Sequence, residues 1–233
     1  MRHPLFFRSP AVPSPRPRGR PPALTKERVV AAAVELADDE GIDALSMRKL
    51  AQALGVEAMS LYHHVANKDE LLDAMVDAVF AEVTAPDEAG PWQVEIRSRC
   101  TSLREVLLRH PWSVGRLDSR RTPGMANLQH HDAVIGCLRS GGFTVRKAAL
   151  AFATIDAFVY GFVIQELALP MAPGEDTSEV AAEILASVPA DAIPHLAEMA
   201  TEYVALPDYE FANEFEPGLD LILEALDRTR RKR

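Results

Sequence analysis

Residues 55–65, GVEAMSLYHHV, hold two adjacent histidines, a tyrosine and a serine in eleven positions, with no lysine or arginine among them. Imidazoles bind a metal when they converge. Neighbouring helical residues diverge by about 100 degrees, and no cysteine or closely spaced carboxylate completes a set around His63-His64. The same holds for His130-His131, so no metal and no cofactor is expected. Nucleophilic catalysis fares no better, because no serine or cysteine stands beside a histidine and an acid in a readable pattern. Asp156 is a lone acid in an apolar stretch, where a buried hydrogen bond or a cavity wall suits it better than proton abstraction. The chain is therefore read as a binder, not an enzyme.

What these side chains can do is touch a duplex. Val56, Leu61 and Val65 share an inward face, which leaves Ala58, Met59, Ser60, Tyr62, His63 and His64 on the other arc. Ser60, Tyr62, His63 and His64 can donate to phosphates. Ala58 or Met59 can meet thymine methyls, and Arg48, in the first turn of the preceding helix, can reach guanine. Lys68, with the first amides of the next helix, can hold a phosphate by charge and helix-end dipole. Burial in a core is the alternative for Tyr62.

The elements that must position these residues all read as helix. Thr25 can cap a first helix with Val30, Ala33, Val34 and Ala37 on one face, stopped by Gly41. Ser46 starts a short second helix that ends at Gly55, with Leu45 and Leu50 spaced as a hydrophobic staple. A third helix spans about 58–64. Asn67 and Glu70 form a capping box for a fourth over 68–83. Two short helices joined at a glycine and braced by longer ones make a helix-turn-helix, whose second helix enters the major groove. Beyond Pro86, Gly90 and Pro91, helices are expected over 92–110, 125–139 and 145–168, then one or two weaker ones over 179–200 after a loop at 170–179. The last covers roughly 209–228, where Pro217 implies a kink or a late start. The fold class is all-α.

Charge divides along the same line. The formal net charge is -9, yet residues 1–68 carry +3 and the remainder -12. The positive surface lies in the arm MRHPLFFRSPAVPSPRPRGRPP and just after it. Prolines interrupt this arm, which lacks the continuous apolar run of a secretory signal, and it is read as disordered. No run of about twenty apolar residues argues for a membrane span. Cys100 and Cys137 suit free, buried thiols in a reducing cytoplasm. The organisation is then an arm over 1–24, a DNA-binding domain over 25–70 and a helical ligand-binding and dimerisation domain over 71–230.

The stretch SMRKLAQALGVEAMSLYHHVANKDELL, 46–72, strongly resembles the DNA-binding domain of the TetR family of bacterial repressors, in the branch of the tetracycline repressor. LLRHP, CLRSGGF, GFVIQE and EFEPGLDLILEAL carry a looser likeness through the remainder. The resemblance implies a homodimer of helical subunits joined by a four-helix bundle, placed here at 145–168 and 209–228. It implies a palindromic double-stranded DNA operator, and release when a small molecule spreads the two heads. It assigns base contact to Arg48, and backbone contact or its support to Ser60, Tyr62, His64 and Lys68. Ala58, Met59 and His63 stand where the tetracycline repressor has glutamine, proline and tryptophan, so a different operator is implied. The positions of that repressor's magnesium-binding histidine and glutamate fall near Leu117 and at Gln165, with Glu166 adjacent, so a tetracycline–magnesium sensor is not supported.

For the second domain, the apolar helix over 145–168 leaves room for a mostly apolar cavity with a few polar anchors. Trp112, Leu128, His131, Phe152, Asp156, Phe162 and Gln165 are the candidate lining, for an apolar or amphipathic effector. The fourth helix is expected to be the only element joining head to body, so the coupling has to pass through it. The rival readings are an enzyme or small-molecule carrier with vestigial DNA contacts, a transcriptional activator on the same scaffold, and an assembly module whose acidic body docks a protein.

Overall fold

The computed structural model describes residues 23–116, 124–169, 192–206 and 209–231; the N-terminal arm, the loop at 170–179 and most of 179–200 lie outside them. Among the described residues there are helices and no strand. In the head, α1 spans Lys26–Glu40, α2 Met47–Leu54, α3 Ala58–Leu61 and α4 Lys68–Phe80. Each start is set by its cap. Thr25 Oγ1 accepts from Arg28 N at 3.3 Å, Ser46 Oγ from Lys49 N at 3.2 Å, and Asn67 Oδ1 from Glu70 N at 2.8 Å. Glycine sets the stops. Gly41 has φ 82° and Gly55 φ 68°, and the Gly55 N–H reaches back to the carbonyls of Ala51 and Gln52.

Two expectations for the head need correction. The third helix is four residues long and continues to His64 only as a tightened turn, with His64 N and Val65 N both donating to Leu61 O. The capping box closes on a different amide: Glu70 Oε2 accepts from Ala66 N at 2.7 Å, one residue before the cap, while Glu70 Oε1 pairs with Lys26. Beneath these turns Val29, Ala33, Leu45, Leu50, Leu61, Val65, Leu71 and Met75 are buried in one apolar core, and burial of this kind stabilises by roughly 25 cal/mol per Å².

The body comprises α5 (Trp92–Arg109), α6 (Met125–Ser140), α7 (Val145–Leu167), α8 (Pro194–Met199, continued as a π-helical turn over Ala200–Val204) and α9 (Phe215–Arg231). Helices α5, α6 and α7 pack on one another, α9 packs on α7, and α4 lies between α1 and α6. Pro217 resolves as the late start: a 3-10 turn over Phe211–Glu214 leads into α9, and Pro217 is its third residue, where the amide it lacks would have had no helical partner. Phe158, Phe162, Phe211 and Phe215 interleave at the α7–α9 seam, with Phe162 stacked on Phe211 at 4.6 Å. Helix α7 is long and apolar enough to cross a membrane, but its inner face packs on α5, α6 and α9 and carries the charged Asp156.

Candidate nucleic-acid interface and core polar site

The face built by α2 and the α3 turn presents the side chains the sequence singled out. Met59 is 72% and Tyr62 43% exposed, and Arg48 and His63 are also at the surface. Ser60 and His64 are half-buried. Ala58 is half-buried too and packs against the head core, so Met59 is the apolar contact that stands clear of the surface. Leu61 and Val65, at 0% and 1% exposed, anchor the turn from below. Lys68 is exposed, but its Nζ donates to Leu45 O at 2.8 Å, which ties the start of α4 to the turn before α2. Two ammonium protons remain for a phosphate. The Glu27 carboxyl sits below its ordinary range because it accepts from its own backbone amide and from Thr25, with a smaller contribution from the nearby His64.

The head meets the body at a buried joint. His110, 5% exposed, follows the last residue of α5 and faces Asp38 of α1, its Nδ1 lying 2.8 Å and 3.0 Å from the two carboxylate oxygens. Trp112 Nε1 donates to the same carboxylate at 2.6 Å. Glu82 approaches the other imidazole nitrogen at 3.4 Å and pairs with Arg109 at 3.0 Å. Contact between head and body is therefore not confined to α4, because the 3-10 turn Pro111–Ser113 also packs on α1. A second link lies at the start of α6. Gly124, its cap residue, has no side chain, and Asp77 of α4 accepts instead from Ala126 N at 3.4 Å and Asn127 N at 3.2 Å.

Inside the body a polar cluster joins α5, α6 and α7. Arg99 is 0% exposed; its Nη1 pairs with Asp156 and its Nε donates to His130 Nε2 at 3.0 Å. That bond uses the lone pair on Nε2, so the single imidazole proton sits on Nδ1. Burial, the Arg99 charge and His131 push the His130 pKa down to about 3. Burial opposes the Arg99 charge, but Asp156, Cys100 and Tyr160 together outweigh it, and the guanidinium pKa is raised. Arg99 Nη2 and Asn127 Oδ1 are buried and make no hydrogen bond among the described residues. His131 stands edge-on to Phe80 of α4 at 5.8 Å and to Phe152 of α7 at 5.0 Å. Cys100 and Cys137 are buried free thiols, and burial raises each pKa to about 11.

Of the seven lining candidates, His131, Phe152 and Asp156 belong to this cluster. The other four lie elsewhere. Trp112 is in the head–body joint. Phe162 is in the α7–α9 aromatic seam, with Arg104 over its ring at 5.6 Å. Leu128 is 48% exposed, and Gln165 is exposed with its amide turned back to Gly161 O at 3.3 Å. Helical periodicity put Phe152, Asp156, Phe162 and Gln165 on the apolar stretch 145–168 without saying which face each would take. Leu117 lies outside the described residues. Glu166 is held by Arg104, which donates from Nε at 2.9 Å and from Nη2 at 2.5 Å. Among the described residues, no group of three His, Cys, Asp or Glu is placed to hold a metal. Sequence reasoning missed Arg99, Asn127 and His130. The signal for Arg99 was present, since it falls on the buried stripe of Trp92, Ile96, Cys100, Leu103 and Leu107.

Comparison with known proteins agrees with both halves. Residues 29–75 match the family model described as bacterial regulatory proteins, tetR family, and residues 85–230 that of the tetracyclin repressor-like C-terminal domain. An HTH-type transcriptional regulator of Saccharopolyspora erythraea is 42% identical over 146 residues, a match spanning 62% of this chain and 62% of that relative. The class A tetracycline repressor from transposon 1721 of Escherichia coli is 32% identical over 210 residues, 89% of this chain and 92% of its own. Among solved structures, the Streptomyces coelicolor TetR family protein ActR in complex with actinorhodin superposes with a TM-score of 0.73 at 32% identity, covering 90% of this chain and all of the other.

Proposed function

The chain belongs to the TetR family of regulators, and from that premise we propose that it is a dimeric transcriptional repressor that sits on a palindromic operator and is released by a small, mostly apolar molecule. The observation that carries this reading is the α2–α3 face. Arg48, Met59, Tyr62 and His63 lie exposed on a turn whose underside is fixed by buried Leu50, Leu61 and Val65. Arg48 and Met59 read base edges, while Ser60, Tyr62, His64 and Lys68 hold the backbone. The reading places the protein in the cytoplasm, where operator DNA is.

The dimer forms through α7 and α9. On α7, Leu150, Ala153, Ala157 and Ile164 form an exposed stripe at helical spacing, with Gly161 on the same face and nothing within 4 Å of where its Cβ would be. On α9, Leu221 is 69% exposed. Two such pairs make a four-helix bundle, the arrangement that covers these faces.

The effector seat is the cluster of Arg99, Asn127, His130, His131, Phe152 and Asp156. A relative has been solved with actinorhodin bound, and the unpaired Arg99 Nη2 and Asn127 Oδ1 suit a ligand carrying both an acceptor and a donor on an apolar body. The coupling runs from α6 to α4 through Asp77 on the α6 amides and Phe80 against His130 and His131. It releases DNA only if the effector favours one arrangement of the heads. A gel shift on DNA flanking the chain's own gene, repeated at rising salt, tests the reading. Affinity should fall steeply with salt. Arg48→Ala should relax preference at one position of each half-site, and Lys68→Ala should weaken all sequences alike. Wild-type behaviour of both variants on every duplex would refute the contact assignment.

A further inference from the structure

The reading turn cannot hold its shape by itself. Helix α3 is four residues long and no side chain caps its start, and so short a helix is unstable alone. Supports from outside must fix it. In front, Val56 N donates to Ala51 O at 3.0 Å and ties the turn to the end of α2. Beneath, Leu61 and Val65 are buried in the head core. Behind, where the chain leaves the turn for α4, the support is a carboxylate. Glu70 Oε2 accepts from Ala66 N at 2.7 Å, and Oε1 accepts from Lys26 Nζ at 2.8 Å. The backbone amide of Glu70 donates to the Asn67 cap at 2.8 Å. One residue in the first turn of α4 therefore grips both the first turn of α1 and the segment two residues beyond His64.

Glu70 has no part in touching DNA. It lines a groove between α1 and α4, beside Val30, Val34, Ala74 and Ala78, and that groove contains none of the residues assigned to bases or phosphates. An acid so near a DNA-binding face opposes a polyanion by its charge, so its use must lie in what it holds. The bond to Ala66 N is charge-assisted, which makes it stronger than a neutral one. Lys26 fixes the other oxygen, so the carboxylate is not free to turn away. On the far flank Lys68 donates to Leu45 O, three residues before Arg48, and the first turn of α4 thereby holds both sides of the reading surface. Resting on the operator reading above, we propose that Glu70 is a positioning residue for sequence recognition. It sets where the α3 turn ends, and with that where Tyr62, His63 and His64 stand against the duplex.

The test compares Glu70→Ala with Glu70→Gln in the full chain. Both remove the same charge, but glutamine keeps a carbonyl that can accept from Ala66 N, so a difference between them isolates the hydrogen bond. Asn67 still caps α4 and the lost ion pair to Lys26 is exposed, so the unfolding midpoint should shift little in either variant. In Glu70→Ala the preference for operator over unrelated duplex, measured at one salt concentration, should fall about tenfold, and Glu70→Gln should restore most of it. Amide hydrogen exchange at His64 and Ala66, measured without DNA, should quicken about tenfold in the alanine variant alone. An undiminished preference in Glu70→Ala would overturn the proposal, as would an equal loss in both variants or unchanged exchange at Ala66. A wild type with no operator preference would refute the operator reading instead, and the exchange measurement would still decide whether Glu70 holds the turn.

Discussion

The head and the body solve opposite problems with polar side chains. In the head, the polar residues stand on the surface and the interior is aliphatic, so Leu50, Leu61 and Leu71 are fully buried while Arg48, Tyr62 and His63 face outward. In the body, an arginine, an aspartate and a histidine are drawn into the centre of three helices. A reading surface needs a rigid support and exchangeable tips. Buried charge needs partners, because an uncompensated ion in a core is strongly destabilising. The head can therefore change its target by surface substitutions, whereas the body's polar core is a unit whose members depend on one another.

The contrast can be tested by how much each region tolerates. Removing Asp156 from under Arg99 should be the costliest change: Asp156→Leu is expected to lose about 3–5 kcal/mol in denaturant unfolding, and pairing it with Arg99→Met should recover most of that. Equal losses in the single and double variants would mean the charge is not what matters. Asp38→Ala comes next, because it leaves Trp112 Nε1 and the His110 imidazole without their acceptor, a loss of about 1–3 kcal/mol. It should also weaken the effect of effector on DNA release, read from operator titrations with and without ligand. Arg48→Ala should leave the unfolding midpoint in place yet lose about 1–3 kcal/mol of discrimination at one base pair per half-site, read from a panel of mutated operators. Arg97→Ala, which breaks half-exposed pairs to Glu216 and Asp220 across α5 and α9, should shift stability by at most about 1 kcal/mol.

Acidity gives a further test of the body. The His130 pKa is depressed from its ordinary 6.5 to about 3. Between those values the unfolded chain binds a proton that the folded chain does not. The resulting stability is fully present above about pH 6.5 and is lost as pH falls toward 3. His130→Gln should flatten that limb of the stability–pH curve, and an unchanged slope would place the proton elsewhere.

Much of the head was legible in the sequence because its signals are local. Thr25, Ser46 and Asn67 cap where their types predict, and Gly41 and Gly55 stop helices where a positive φ is needed. The α3 helix ends sooner than its spacing suggested, and the bond from Lys68 to Leu45 O was not legible because it depends on a carbonyl 23 residues away. In the body, helix positions followed from periodicity, but facing did not. A stripe that contains Phe162 and Gln165 does not say which one meets a neighbour. Arg99 was passed over because an arginine in a helix is normally solvated, and only the arrival of Asp156 from a helix 57 residues on makes its burial tolerable.

One detail at the start of α6 has a bearing on descent. The helix is capped by Asp77, which belongs to another helix, and a Cβ on Gly124 would lie 2.1 Å from that carboxylate. A side chain at position 124 would therefore push the Asp77 carboxylate off the α6 amides, unless that side chain supplied the cap itself. Across related chains the two sites should change as a pair, with glycine beside aspartate in some lineages, and serine, threonine or asparagine beside a small apolar residue in others.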